Sequence, residues 1–359
     1  MTLKYPTSVD VVFAYNPNYI ELSDAASALT LEVELSNKAT GKSFSVTSTV
    51  YNGGAKVYIS KILQVLCGGE RCATITGNYK VNMPTGQMGY IYNNMMFQCI
   101  AGCIDIGQRF GQVGLYNYDE SEKAFVRRVR WFKNFPFKVS LFVPIVGAGN
   151  YDVVARYDGN VYGAGETMTA GGFYDVEPSA KIPDAVNLGV VKLYDTTAAS
   201  SGTTFDETFD YTFKSLMETD VVVRLKVDNS TAGHYFRWLD NFAQWQYFLF
   251  APGTDEVTIE DGDEIVEDFA QSGFHFADFP RVQSKGRTRA IKCCAQNLTR
   301  DEVDYVRTIV SSAYVEMYVH GDLWMPCNIK SGTYSVSEKD NLVDFEITAT
   351  IPAAQTQTR

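Results

Sequence analysis

Histidine is scarce in this chain: three in 359 residues, at His234, His275 and His320. None stands in a recognisable motif, so the usual means of general acid–base chemistry near neutral pH are thin. A serine nucleophile would call for a G-x-S-x-G elbow, which does not occur, and the glycine-bearing fragment GAGETMTAGG lacks the GK[ST] of a phosphate loop. Positive charge is short too. Against 42 Asp and Glu there are 31 Lys and Arg, a net charge of −11, which argues against a general nucleic-acid binder. Only RRVRWFK, Arg127–Lys133, is densely basic. No apolar run approaches the ~20 residues that cross a bilayer, so no membrane partner is expected. The opening MTLKYPTSVDVVF has no charged segment followed by an apolar one, and the expectation is a chain without a secretory signal, made in a cytoplasm with reduced thiols.

What the chain does have is aromatic and β-branched residues. Aromatics make up 13%, with 22 Tyr and 22 Phe, and such side chains fit a pleated, half-buried surface. LTLEVEL (Leu29–Leu35) alternates apolar and polar residues as a strand with one wet face does, and SFSVTSTVY (Ser43–Tyr51) reads as its return. KVYISKILQVL (Lys56–Leu66) places Ile59, Ile62, Leu63 and Leu66 at helical spacing. The strongest helix signal is LTRDEVDYVRTIVSS (Leu298–Ser312), where Thr299 and Glu302 form a capping-box pair and Val303, Val306, Ile309 and Val310 share a face. VTIEDGDEIVEDF predicts a hairpin turn at Asp261-Gly262. PSAKIPDAVNLG (Pro178–Gly189), with two prolines and no period, marks a boundary. The expected fold is mainly β (α+β). It has two antiparallel β-rich modules, residues 1–180 and 181–359, the second a sheet or sandwich flanked by one amphipathic helix, 299–312.

Metal and cofactor chemistry find little support. Cys67-x4-Cys72 and Cys99-x3-Cys103 make two pairs of thiols that four-coordinate zinc would accept. Their spacing is longer than that of a knuckle, however, and cysteine also packs as a small buried hydrophobe. DEVTIEDGDEIVED (Asp255–Asp268) lacks the alternating oxygen ligands and distal Glu of a calcium loop and reads as a solvated acidic hairpin. GAGETMTAGG follows no strand-to-helix pattern. With no catalytic constellation, no metal and no cofactor expected, the chain reads as something other than an enzyme.

HYFRWLDNFAQWQYFLF (His234–Phe250) holds eight aromatic rings in seventeen residues. Trp238, Trp245 and Tyr247 would stack on sugars if exposed. Aromatics beside an arginine would suit a protein interface. Trp238, Phe242 and Trp245, at i, i+4 and i+7, would pack on a sheet if the stretch were a short helix. Core packing is the expected fate of most of these rings. The stretch also has an echo: RWFKNF from Arg130 and RWLDNF from Arg237 share Arg-Trp-x-x-Asn-Phe, as duplication or chance would produce. Arg237, Trp245, Tyr247 and Arg130 are the residues that this reading assigns to a subunit interface.

YNPNYIEL (Tyr15–Leu22), GGAKVYISKILQVL (Gly53–Leu66), the aromatic run, and the closing LTRDEVDYVRTIVSS, LWMPCNI and SEKDNLVDFEITATIP together resemble structural proteins of tailed phages and prophages of Bacteroidetes. The resemblance covers both ends of the chain and is weaker through the glycine-rich middle. It carries no catalytic residues. It implies a virion structural protein, of the tail or baseplate, assembled in a host cytoplasm and acting as a homo-oligomer with other phage tail proteins as partners. The alternative is a carbohydrate-binding or adhesion module with exposed aromatics.

Overall fold

A computed structural model describes residues 1–6, 11–85, 89–104, 117–120, 124–143, 150–157, 160–162, 167–169, 172–177, 188–195, 221–261, 264–267, 279–282, 284–330 and 342–358. The chain is mostly β, with several antiparallel sheets and two α-helices among the described residues. It clusters into two units. The first holds Met1–Asn229 together with Leu239–Gln246, and the second holds Ser230–Trp238 with Tyr247–Arg359.

The first unit begins with a five-stranded sheet ordered Val11–Phe13, Tyr90–Ile100, Cys72–Asn82, Thr30–Asn37, Ser43–Thr49. The alternation in the third-longest of these, Thr30–Asn37, buries Leu31, Val33, Leu35 and Asn37 and leaves the residues between them wetter, as a half-buried strand requires. A three-stranded sheet, Thr2–Lys4, Tyr19–Ser23 and Ala55–Tyr58, shares its core through Ile20, Leu22 and Val57. The expected helical segment divides in two. Ala55–Tyr58 extends this sheet, and Ser60–Cys67 is the helix, packing Leu63 and Leu66 into the same core. It ends at Gly68, which adopts the left-handed conformation (φ 59°) that glycine tolerates.

A further sheet follows in the same unit: Asn160–Tyr162, Asn150–Tyr157, Leu188–Asp195, Val221–Asp228, Ala124–Phe132, Asn117–Asp119, with Thr167–Thr169 also paired to Asn150–Tyr157. Its topology moves the domain boundary. The sequence placed the division near residue 180, within a stretch of which 178–187 lie outside the described residues. The chain instead divides after Asn229. Leu188–Asp195 pairs antiparallel with Asn150–Tyr157, and Val221–Asp228 pairs parallel with Ala124–Phe132. The next described strands, Leu188–Asp195 and Val221–Asp228, belong to the sheet that Ala124–Phe132 and Asn150–Tyr157 began.

The second unit is a closed barrel of six strands, in the order His234–Leu239, Trp245–Asp261, Ser284–Leu298, Val343–Thr358, Leu323–Ile329, Val315–His320. The sheet expected there therefore closes on itself, which removes its edges along the closed part. The helix runs Arg300–Val306 and tightens into a 3₁₀ turn, Arg307–Ser311. The capping box forms as the sequence indicated: the Glu302 amide donates to Thr299 Oγ1 at 3.4 Å, and the Thr299 amide donates to Glu302 Oε2 at 2.9 Å. Val303, Val306 and Ile309 are buried, as are Phe236, Trp238, Phe248, Phe250, Ile291, Cys293, Ala295, Phe345 and Ile347 from the strands.

Candidate functional site

The aromatic stretch is strand, turn, strand, not a helix. His234–Leu239 and the strand from Trp245 are neighbours in the barrel, and Asp240–Gln244 turns the chain. The helical spacing of Trp238, Phe242 and Trp245 arises because the turn interrupts two runs of period two. Asp240 organises that turn. Its Oδ1 accepts from the amides of Phe242 and Gln244, both at 2.9 Å, and its Oδ2 accepts from Gln246 Nε2 at 2.7 Å. Arg127 donates to Gln246 Oε1. Burial pushes the Asp240 carboxyl upward, and the two backbone donors, Gln246 and the Arg127 charge oppose that shift. Ala243 takes a positive φ of 58°, an unusual conformation outside glycine. The turn packs closely enough on Gly102 that a Cβ there would lie 2.2 Å from the Asn241 carbonyl oxygen. Asp240, Gln244 and Gln246 went unmarked in the sequence, since buried polar groups leave no periodic signal; Arg127, which opens the basic run, is itself buried.

Most of the rings are core, as expected. Trp238 is fully buried and donates through Nε1 to Thr308 Oγ1 at 2.8 Å. Phe236, Phe248 and Phe250 form edge contacts on the same strand faces. On the alternate face Tyr235, Tyr247, Tyr318 and Trp324 pack on one another at centroid distances of 5.3–6.3 Å.

The four residues assigned to an interface fall in different places. Tyr247 is 3% exposed, so its ring is a packing element and not a surface contact; this corrects its assignment. Arg237 is half-buried, ion-paired with Glu316 at 2.6 Å and stacked on Trp324, with its guanidinium carbon 4.3 Å from the ring centroid. These two belong to the barrel unit. Arg130 and Trp245 belong to the first unit. Arg130 faces Asp228 at 3.8 Å, and the Trp245 amide donates to Ser140 Oγ at 2.9 Å. Trp245 keeps a partly exposed side chain. With Trp238 and Tyr247 buried, two of the three rings proposed for sugar stacking have no free face. Both Arg-Trp-x-x-Asn-Phe elements end a strand and enter a turn, but the first lies in an open sheet and the second in a barrel wall.

The chemistry-bearing residues are dispersed. Cys67 and Cys99 meet, with sulfurs 3.6 Å apart. Burial pushes the thiols of Cys72, Cys293 and Cys327 each up to about 12. Among the described residues no group of three or more His, Cys, Asp and Glu is arranged to hold a metal ion. His275 and the Asp261-Gly262 turn lie outside the described residues in whole or part. Glu264–Glu267, the strand after that turn, pairs with Phe279–Val282.

The acidic stretch that the sequence marks as solvated, from Asp255, lies at the far end of the barrel strands. The strand Trp245–Asp261 is buried from Gln246 to Phe250 and then exposed at every residue from Pro252 to Asp261. It continues paired with Lys285–Ile291, which pairs in turn with Ala349–Gln357. Directly paired residues share a face of a sheet. Asp255 pairs with Ile291, which is buried, so Val257 and Ile259 lie on the continuation of the core face. They are nevertheless 45% and 61% exposed. The strand's other neighbour starts only at His234, and Gly233 already lies against the Phe250 carbonyl. Beyond Phe250 that edge has no described partner. Cross-strand ion pairs Asp255–Arg289, Glu256–Lys292 and Asp261–Lys285 span this three-stranded ribbon. Arg289 holds the Asp255 carboxyl below the usual carboxylate range.

No protein-family model matches the sequence, and no curated protein matches it.

Proposed function

We propose that this chain is a structural component of a phage virion, of the tail or its baseplate, and that it works by assembling with further copies of itself and with other tail proteins. The resemblance of both ends of the sequence to phage structural proteins motivates the reading. The observation that carries it is the ribbon. Val257 and Ile259 keep the phase of the barrel core where no described part of the chain covers them. A sheet edge with no described partner, carrying the exposed Val257 and Ile259, is a template for strand addition by another chain. A second copy fits it in register: antiparallel pairing about Thr258 sets Val257 opposite Ile259 and brings Glu256 to Glu260 and Asp255 to Asp261, where Lys292, Arg289 and Lys285 of the neighbouring strand offset the charges of Glu256, Asp255 and Asp261.

Light scattering on the purified protein tests the reading, together with mass spectrometry of virions. The wild type is expected to be oligomeric and present in particles. Val257→Lys with Ile259→Lys is expected to yield smaller species with an unchanged melting temperature, since both side chains are exposed. A wild-type protein that is strictly monomeric and absent from virions overturns the proposal.

A further inference from the structure

We propose that Cys67 and Cys99 form an oxidation site that closes into an intramolecular disulfide, fastening the helix Ser60–Cys67 to the sheet strand Tyr90–Ile100. The two sulfurs lie 3.6 Å apart, in hydrogen-bond contact, and they bridge residues 32 apart in sequence. A disulfide requires about 2.05 Å, so the sulfurs have about 1.5 Å to travel. The place where that movement occurs is well suited to it. Cys67 is the last helical residue, and it is followed by Gly68 and Gly69, both exposed and both at positive φ (59° and 92°). A two-glycine exit lets the last turn shift without dragging a side chain through the core.

The remaining nearby thiol is placed not to compete. Ala73 is the register partner of Cys99, so these two share a face, and Cys72 lies on the other. Accordingly Cys67, Ala73 and Cys99 belong to the core between helix and sheet, whereas Cys72 packs with Phe13, Ile100 and Phe242. Cys67, at the helix end beside the exposed Gly68 and Gly69, is the sulfur nearer to solvent and so the one that meets a small oxidant first. Both are nearly fully buried, so the oxidant has to be small, and hydrogen peroxide meets that condition. The Cys67 thiolate attacks one peroxide oxygen, the O–O bond breaks, and with a proton taken up the products are a sulfenic acid and water. Cys99 sulfur then attacks the Cys67 sulfur, the S–O bond breaks, and the hydroxyl leaves with the Cys99 proton as a second water. Two thiols are oxidised by two electrons, and one peroxide is reduced.

The experiment exposes the native wild-type protein to hydrogen peroxide, alkylates remaining thiols, digests without reduction and maps the peptides by mass spectrometry. A cross-linked pair joining Cys67 to Cys99, lighter by two hydrogen atoms than the separate peptides, is expected. So is a melting temperature for the first unit higher by roughly 5–10 °C, reversed by a thiol reductant. Cys99→Ser is expected to abolish both changes while leaving Cys67 able to form a sulfenic acid that a dimedone probe traps. Recovery of both cysteines alkylated, their conversion to sulfinic acids without a link, or a link from Cys67 to Cys72 would each overturn the proposal.

Discussion

Three strands of the second unit each live in two environments. At one end Trp245–Asp261, Ser284–Leu298 and Val343–Thr358 form barrel wall; at the other they form a ribbon. The hydrogen-bonded ladder is continuous and the alternation of side chains is the same. Yet Ile291 is 2% exposed and Ile259, on the same face, is 61% exposed. Strand character is thus a property of the local ladder, whereas burial depends on whether other elements close over that face. In the wall, the helix and the facing strands do so. On the ribbon, no described part of the chain does.

Substitutions that distinguish the two environments test this contrast. Trp238→Ala, in the wall, removes a fully buried ring and its bond to Thr308 and is expected to destabilise the barrel by about 3–5 kcal/mol in denaturant unfolding. Ile291→Ala is expected to cost about 2–4 kcal/mol. The same change at Ile259 is expected to stay within about 0.5 kcal/mol for the unassembled protein, as exposed sites do. Equal costs at Ile291 and Ile259 would mean that the ribbon is covered by this chain itself. Asp255→Asn breaks an ion pair exposed on both sides; calorimetry in physiological salt should find the unfolding temperature unmoved. The smallest effect is at His234. Burial, with the nearby Arg289 charge, lowers its pKa, so the folded state disfavours its protonated form. The corresponding stability is present above the ordinary histidine range and declines as pH falls through it. His234→Gln should therefore flatten the dependence of melting temperature on pH between about 7 and 5.

Several elements were legible because their causes are local. The capping box at Thr299 and Glu302 involves residues three apart, and it forms as the pattern implied. The alternation at Leu31, Val33 and Leu35 needs only one covered face. The turn at Asp240–Gln244 was illegible because it contains neither glycine nor proline. It is held by one buried carboxylate and a left-handed Ala243, and its presence between two strands imitated a helical period. Trp245 and Tyr247 are two residues apart, on facing sides of a unit division that no composition change announces.

The sequence by itself determined the class of the fold, the helix with its cap, the identity of most core rings, and the shortage of groups for acid–base chemistry. These follow from side-chain shape, two-residue and four-residue periodicity, and composition. Only the tertiary structure decided that six strands close into a barrel, that the first unit extends to Asn229, that Cys67 meets Cys99, and that Val257 and Ile259 remain in water. Each of those depends on contacts between residues far apart in the chain, and a periodic pattern reports which face is apolar without reporting what covers it.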